Sequence, residues 1–151
     1  MTSFQIQKAT LEDKNWIAEA QVLMALETEN LQLNQEAVVK GVGFIYEHPD
    51  RGFYIIAKND EQNPVACLLI LKEWSDWRNG EVWWIHSLYV MPGYRKQGIF
   101  KKMFVYIEDL AQSSDVRGLR LYVDKSNAQA KAAYEKLGMN KNHYELFEKM
   151  F

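Results

Sequence analysis

The spacing of apolar and polar residues divides the chain into alternating strand and helix periods. Phe4–Lys8 alternates and predicts a first strand. Thr10 then precedes Leu11-Glu12-Asp13, a helix start with acids in its first turn. Trp16, Ile17, Ala20, Leu23 and Met24 recur at helical spacing to the region of Glu27. After the linker Glu27–Asn34, a second helix is expected with Asn34 as its cap. Val38, Val39, Val42, Ile45 and Tyr46 form its apolar face, and it ends near His48-Pro49.

The period then switches. Phe53–Lys58 and Val65–Trp74, separated by the turn-rich Asn59–Pro64, read as a hairpin, and the turn Ser75–Gly80 leads into a long strand, Glu81–Val90. A helix from Gly98 to Ser113 presents Ile99, Met103, Ile107 and Leu110 on one face. Gly118–Val123 reads as another strand. Asn127 caps the alanine-rich helix Ala128–Leu137, which stops at Gly138, and His143–Phe151 alternates as a last strand. The order β-α-α-β-β-β-α-β-α-β implies an α/β (α+β) chain: a central mixed, mostly antiparallel sheet flanked by helices. The Glu81–Val90 and Gly118–Val123 strands are joined through a helix and should run parallel.

Composition narrows this picture only a little. The 151 residues, 48% apolar, suit one globular domain, residues 1–151, and argue against disorder. A net charge of −2 gives no global attraction to nucleic acid. Cys67 lies in the apolar run Val65–Leu71 and reads as a buried core thiol; as the only cysteine it has no internal disulfide partner. Met1-Thr2-Ser3-Phe4 lacks the charged and apolar regions of a signal peptide, and no apolar run reaches membrane-spanning length. The expectation is a cytoplasmic protein with no membrane partner.

Candidate chemistry centres on the stretch from Trp83 to Phe100. It reads as a buried strand, a turn marked by Pro92 and Gly93, and the first turn of a helix. Helix starts favour acids and helix ends favour bases, yet here Arg95, Lys96, Lys101 and Lys102 crowd the start while Glu108 and Asp109 lie towards the end. A bound anion would reverse the sign of that mismatch, because backbone N–H groups and basic side chains would act on it together. Gly98 lacks a Cβ and would let a phosphate approach the backbone. The competing reading is a solvated basic face.

The segment Leu88-Tyr89-Val90-Met91-Pro92-Gly93-Tyr94-Arg95-Lys96-Gln97-Gly98 resembles the strand and Arg/Gln-x-x-Gly-x-Gly/Ala pyrophosphate loop of the GNAT superfamily of acetyl-CoA-dependent N-acyltransferases. Asn127–Met139 is similar to that family's Asn-x-x-Ala-x-x-x-Tyr-x-x-x-Gly-Phe segment, and one helix and one strand separate the two, as in the family. The resemblance covers almost the whole chain. It implies acetyl-CoA as cosubstrate, no metal, and a parallel strand pair that splays apart. Backbone amides of Gln97, Gly98, Ile99, Phe100 and Lys101 would cradle the pyrophosphate, with Arg95 opening the loop. Leu88 and Val90 would pair through their backbones with the pantetheine arm, and Asn127 would contact the cofactor. Phe100 departs from the family's Gly or Ala, so its ring must turn away from the phosphates.

The resemblance also implies roles in transfer. Tyr134 shares a helical face with Asn127 and Ala130, and would protonate the departing thiolate. His86 occupies the position where the family often places a glutamate and is the candidate base, with Glu81 or an ordered-water route as competitors. A backbone N–H near Leu88–Val90 would stabilise the oxyanion. Glu27, Glu29, Trp74 and Trp77 could flank a pocket for a small-molecule or peptide amine, with a solvated loop the favoured reading for each glutamate taken singly, and Trp83 and Trp84 should point to opposite faces of their strand. The rival is a non-catalytic coenzyme A-binding module of the same fold, against which Tyr134 counts. The absence of a Gly-x-x-x-x-Gly-Lys-Ser/Thr loop argues against phosphoryl transfer. The last strand, His143–Phe151, could pair across a homodimer or lie in its own sheet.

Overall fold

The computed structural model describes residues 3–151; Met1 and Thr2 lie outside the described residues. The elements follow the periodicity closely. They are β1 (Gln5–Lys8), α1 (Lys14–Glu29), α2 (Gln35–Glu47), β2 (Gly52–Lys58), β3 (Pro64–Ser75), β4 (Gly80–Val90), α3 (Ile99–Ser113), β5 (Gly118–Arg120) and α4 (Ala128–Lys136). The chain divides into two compact units, one ending at Arg120 and the other Leu121–Phe151.

Local chemistry explains the first boundaries. The Thr10 N–H donates to Asp13 Oδ2 at 2.8 Å, which winds Leu11–Asp13 into a tight 3₁₀ turn before α1 begins. The first α-helical residue is therefore Lys14, three positions later than the acidic start suggests. Asn30, with φ of 50°, ends α1 in the left-handed region. The Ala37 N–H donates to Asn34 Oδ1 at 2.9 Å and caps α2.

In the first unit, the sheet order is β1-β2-β3-β4-β5, antiparallel throughout except for the parallel β4–β5 pair. One face is covered by α1 and α2, where Ile17, Ala18, Ala20 and Val42 meet Tyr54, Ile56, Cys67 and Tyr89. Strand alternation sends Ile55, Leu68 and Ile70 to the other face. There α3 buries Ile99, Met103, Phe104 and Ile107. Gly52 is required by sterics: a Cβ there would stand 2.1 Å from the Ile70 carbonyl oxygen. Among the described residues, no helix is long and apolar enough to cross a membrane.

Three expectations are corrected. Strand β5 ends at Arg120, not Val123, because its ladder to β4 stops at the pair Trp84↔Arg120. Helix α4 ends at Lys136, one residue before Leu137. His143–Phe151 forms no strand, and Tyr144, Phe147, Met150 and Phe151 are exposed. Alternation specifies which side chains would share a face, but a strand exists only where a neighbouring ladder takes its N–H and C=O groups.

Candidate active site

The parallel pair β4–β5 is joined only at Val82↔Gly118, Trp83↔Leu119 and Trp84↔Arg120. From Ile85 to Val90, β4 runs on without a ladder to β5. In the same stretch the opposite ladder changes register. Leu69 pairs with His86 and Cys67 with Tyr89, so Leu68 alone on β3 faces both Ser87 and Leu88 on β4. This is a β-bulge, with Ser87 in the left-handed region at φ of 55°. The extra residue shifts the alternation by one and adds local twist to the end of β4. Leu88 and Val90 lie in this segment.

Beyond β4 the chain makes a short 3₁₀ turn, Pro92–Tyr94, and then a loop into α3. Lys96 (φ 62°) and Gly98 (φ 75°) are both left-handed, flanking Gln97. For glycine that conformation is free of cost, whereas for lysine it costs about 1 kcal/mol. The Gln97 side chain folds back, Nε2 donating to the Gly93 carbonyl at 3.2 Å. Gly98 caps α3 without a side chain, and the first bond into the helix runs from Lys102 N to Gly98 O at 3.2 Å. The N–H groups of Ile99 and Lys101 therefore have no acceptor within the helix.

An open groove of about 440 Å³ lies over this helix start, lined by Gln97, Gly98, Lys101, Lys102 and Val105. No acid occupies the first turn. Nothing stands within 4 Å of the position where a Cβ on Gly98 would lie. The Phe100 ring packs edge-on against Phe104, 6.1 Å between centroids, one turn further along the helix. The helix-start amides of Ile99 and Lys101, two lysines and an uncrowded glycine fit a phosphate-bearing ligand.

Arg95 is held on the other side of the loop. Its Nε donates to the Val90 carbonyl at 2.8 Å, and Nη2 meets Glu27 Oε2 at 2.6 Å. Its guanidinium lies 5.7 Å from the centre of the Tyr89 ring, and the Tyr89 hydroxyl donates to Glu27 Oε1 at 3.3 Å. Burial and the Glu27 carboxylate push the Tyr89 phenol up. Glu27, a candidate for the amine pocket, is thus tied to the loop before α3. A partner 68 residues away leaves no local signal in the sequence.

His86 is half-buried and stacks on Trp84, 5.9 Å between ring centroids and 21° from parallel. Desolvation by burial holds its imidazole below the usual histidine range, so it is neutral at pH 7. Trp83 takes the opposite face, buried edge-on against Phe53 at 5.2 Å, and its Nε1 donates to Glu81 Oε1 at 3.3 Å. Trp74 and Trp77 are exposed.

The second unit holds Asn127 and Tyr134. Asn127 Oδ1 accepts from the Ala130 N–H at 3.0 Å and caps α4. Tyr134, two turns on, is partly buried, and desolvation raises its phenol above the ordinary tyrosine value. The Tyr134 carbonyl accepts from the N–H groups of Leu137 and Met139, closing the helix end around Gly138 (φ 86°). Among the described residues there is no group of three or more His, Cys, Asp or Glu side chains placed to hold a metal ion.

A family model described as the acetyltransferase (GNAT) family matches residues 14–139. Among solved structures, a possible acetyltransferase from Clostridium difficile 630 is 36% identical, with 98% of this chain and 97% of that one covered and a TM-score of 0.89. A glucosamine-6-phosphate N-acetyltransferase from Arabidopsis thaliana is 18% identical, with 99% of each chain covered and a TM-score of 0.76. AAC(6')-Iy in complex with the bisubstrate analogue CoA-S-monomethyl-acetylneamine is 14% identical, with 99% of each chain covered and a TM-score of 0.77. At those last two identities the likeness is one of fold. A search of curated protein sequences gives no match.

Proposed function

Because the chain belongs to the acetyltransferase (GNAT) family, we propose that it moves an acetyl group from acetyl-CoA directly to a primary amine of a small molecule or peptide, within a ternary complex. The observation that carries this reading is the start of α3. There the N–H groups of Ile99 and Lys101 lack helical acceptors beside a groove lined by Lys101 and Lys102. Bound acetyl-CoA would supply the activated thioester. Gln97, Gly98 and the helix amides hold its pyrophosphate, and the unladdered end of β4, with Leu88 and Val90, offers backbone groups to its pantetheine amides. Asn127 is assigned to the same cosubstrate on the family motif alone.

Transfer needs a free amine, an oxyanion site and a protonated leaving group. An alkyl amine with pKa near 10.4 is mostly protonated at neutral pH. His86, neutral at pH 7, takes that proton directly or through water. Glu81 remains a competitor for this role, although its carboxylate already accepts from Trp83. A backbone N–H in Leu88–Val90 stabilises the developing oxyanion. Tyr134, whose phenol stays protonated because burial raises it, gives its proton to the departing thiolate. The raised phenol supports an acid over a base at this position.

Titration calorimetry with acetyl-CoA, followed by an amine-library screen, tests the reading. Tyr134→Phe should lower kcat by about 100-fold while leaving the acetyl-CoA affinity nearly unchanged. Equal turnover by the variant at every pH would remove the acid role. Binding with no turnover on any amine would leave a coenzyme A-binding module without transfer activity.

A further inference from the structure

Arg95 opens the phosphate loop in sequence, yet its side chain does not line the groove over α3, whose walls are Gln97, Gly98, Lys101, Lys102 and Val105. The guanidinium instead turns back towards the end of β4 and the last turn of α1. Two of its donors are used there, on the Val90 carbonyl and the Glu27 carboxylate. Its Cζ lies over the Tyr89 ring, and Glu27 is gripped a second time by the Tyr89 hydroxyl. The next residue, Lys96, holds a left-handed conformation that lysine disfavours, and such a conformation persists only where its surroundings impose it. The immobilised Arg95 supplies that constraint on one side, and the Gln97–Gly93 bond supplies it on the other.

We propose that Glu27 is a positioning residue for the cosubstrate, acting through Arg95. The Glu27–Arg95–Tyr89 cluster latches the end of α1 to the phosphate loop and fixes the amides of Gln97–Lys101 for an anion. Arg95 is then part of the latch and not a phosphate ligand. This rests on the coenzyme A reading above for its binding consequence, but the latch itself is a property of the free protein.

The two roles for Arg95 separate in a double-mutant cycle. Desulfo-CoA is titrated into wild type, Glu27→Gln, Arg95→Gln, the double variant and Lys101→Gln at several salt concentrations. With a latch, Glu27→Gln and Arg95→Gln each weaken binding by about tenfold, and the double variant is no weaker than either. Their salt dependence matches wild type, while Lys101→Gln flattens it. Glu27→Asp, which keeps the charge, restores part of the affinity. In steady state the loss falls on the acetyl-CoA KM, with kcat retained.

A direct phosphate contact gives the opposite pattern. Arg95→Gln alone then weakens binding and flattens the salt dependence, while Glu27→Gln frees Arg95 and tightens binding. That result overturns the proposal. Amide exchange in the ligand-free protein decides the latch independently: both variants should speed exchange at Tyr94, Arg95 and Lys102, whose N–H groups are bonded within the loop and the first helical turn, and leave β2 and β3 unchanged. If wild type fails to bind desulfo-CoA at millimolar concentration, the cofactor reading falls and the exchange pattern still judges the latch. Unaltered exchange in both variants overturns it.

Discussion

His86 and Tyr89, three residues apart in one strand, lie on the same face of the sheet. Regular alternation would put them on opposite faces. They share one because Ser87 and Leu88 together stand opposite Leu68, so the strand gains a residue between them. Tyr89 enters the core beneath α1 and α2 beside Cys67, while His86 stays half-buried next to Trp84.

The bulge places its strain on Ser87, whose φ of 55° suits glycine better than serine. Ser87→Gly should therefore stabilise the protein by about 0.5–1 kcal/mol, and Ser87→Val should destabilise it by about 1–3 kcal/mol. Denaturant unfolding midpoints check both. A Ser87→Gly variant less stable than wild type would mean that the serine side chain contributes more than its backbone costs.

Lys58 and Asp13 form an ion pair of 3.1 Å, with side chains 14% and 5% exposed. Asp13 also accepts the Thr10 N–H, so it anchors the start of α1 to β2. Lys58→Met strands the carboxylate and should cost about 3 kcal/mol. The double change Lys58→Met with Asp13→Leu should recover part of that loss, measured by thermal unfolding, because no charge is then left buried.

Activity should follow the half-buried imidazole. Burial lowers the His86 pKa below its ordinary 6.5, so as the base it stays competent down to a pH beneath that value. The acid limb of kcat/KM should fall there, and in His86→Gln it should vanish together with most of the rate. The alkaline limb from Tyr134 lies above pH 10, since burial raises that phenol. Stability has the same sign for His86. The unfolded chain takes up its proton near 6.5 and the folded chain only at lower pH. The contribution is complete above 6.5 and is lost as pH falls through the folded value, so His86→Gln should flatten the acid side of the stability profile.

Cys67 is fully buried, and desolvation pushes its thiol up to about 12. Only the thiolate reacts with disulfide reagents. The native protein should resist a chromogenic thiol reagent by at least about 1,000-fold relative to the guanidinium-unfolded chain, where one equivalent reacts at once. Rapid native labelling would show that the strands around Cys67 open locally.

Much of this was legible along the chain because it depends on neighbours in sequence. Periodicity marks helix and strand wherever one face is buried, as at Ile99, Met103 and Ile107, and Asn34 and Asn127 announce their helices by local hydrogen bonds. The basic start of α3 is likewise a local pattern, and so is the buried character of Cys67. His143–Phe151 shows the limit: alternation there is real, but no ladder completes it into a strand.

The sequence by itself determined the order and kind of nearly all elements, the basic start of α3 and the family resemblance, since these need only residues a few positions apart. Tertiary structure alone decided where the β4–β5 ladder stops, where β4 bulges, and that Glu27 holds Arg95 from 68 residues away. Those features arise from register and from contacts between distant segments. Their energy depends on which groups folding brings within bonding distance, and no local pattern encodes that.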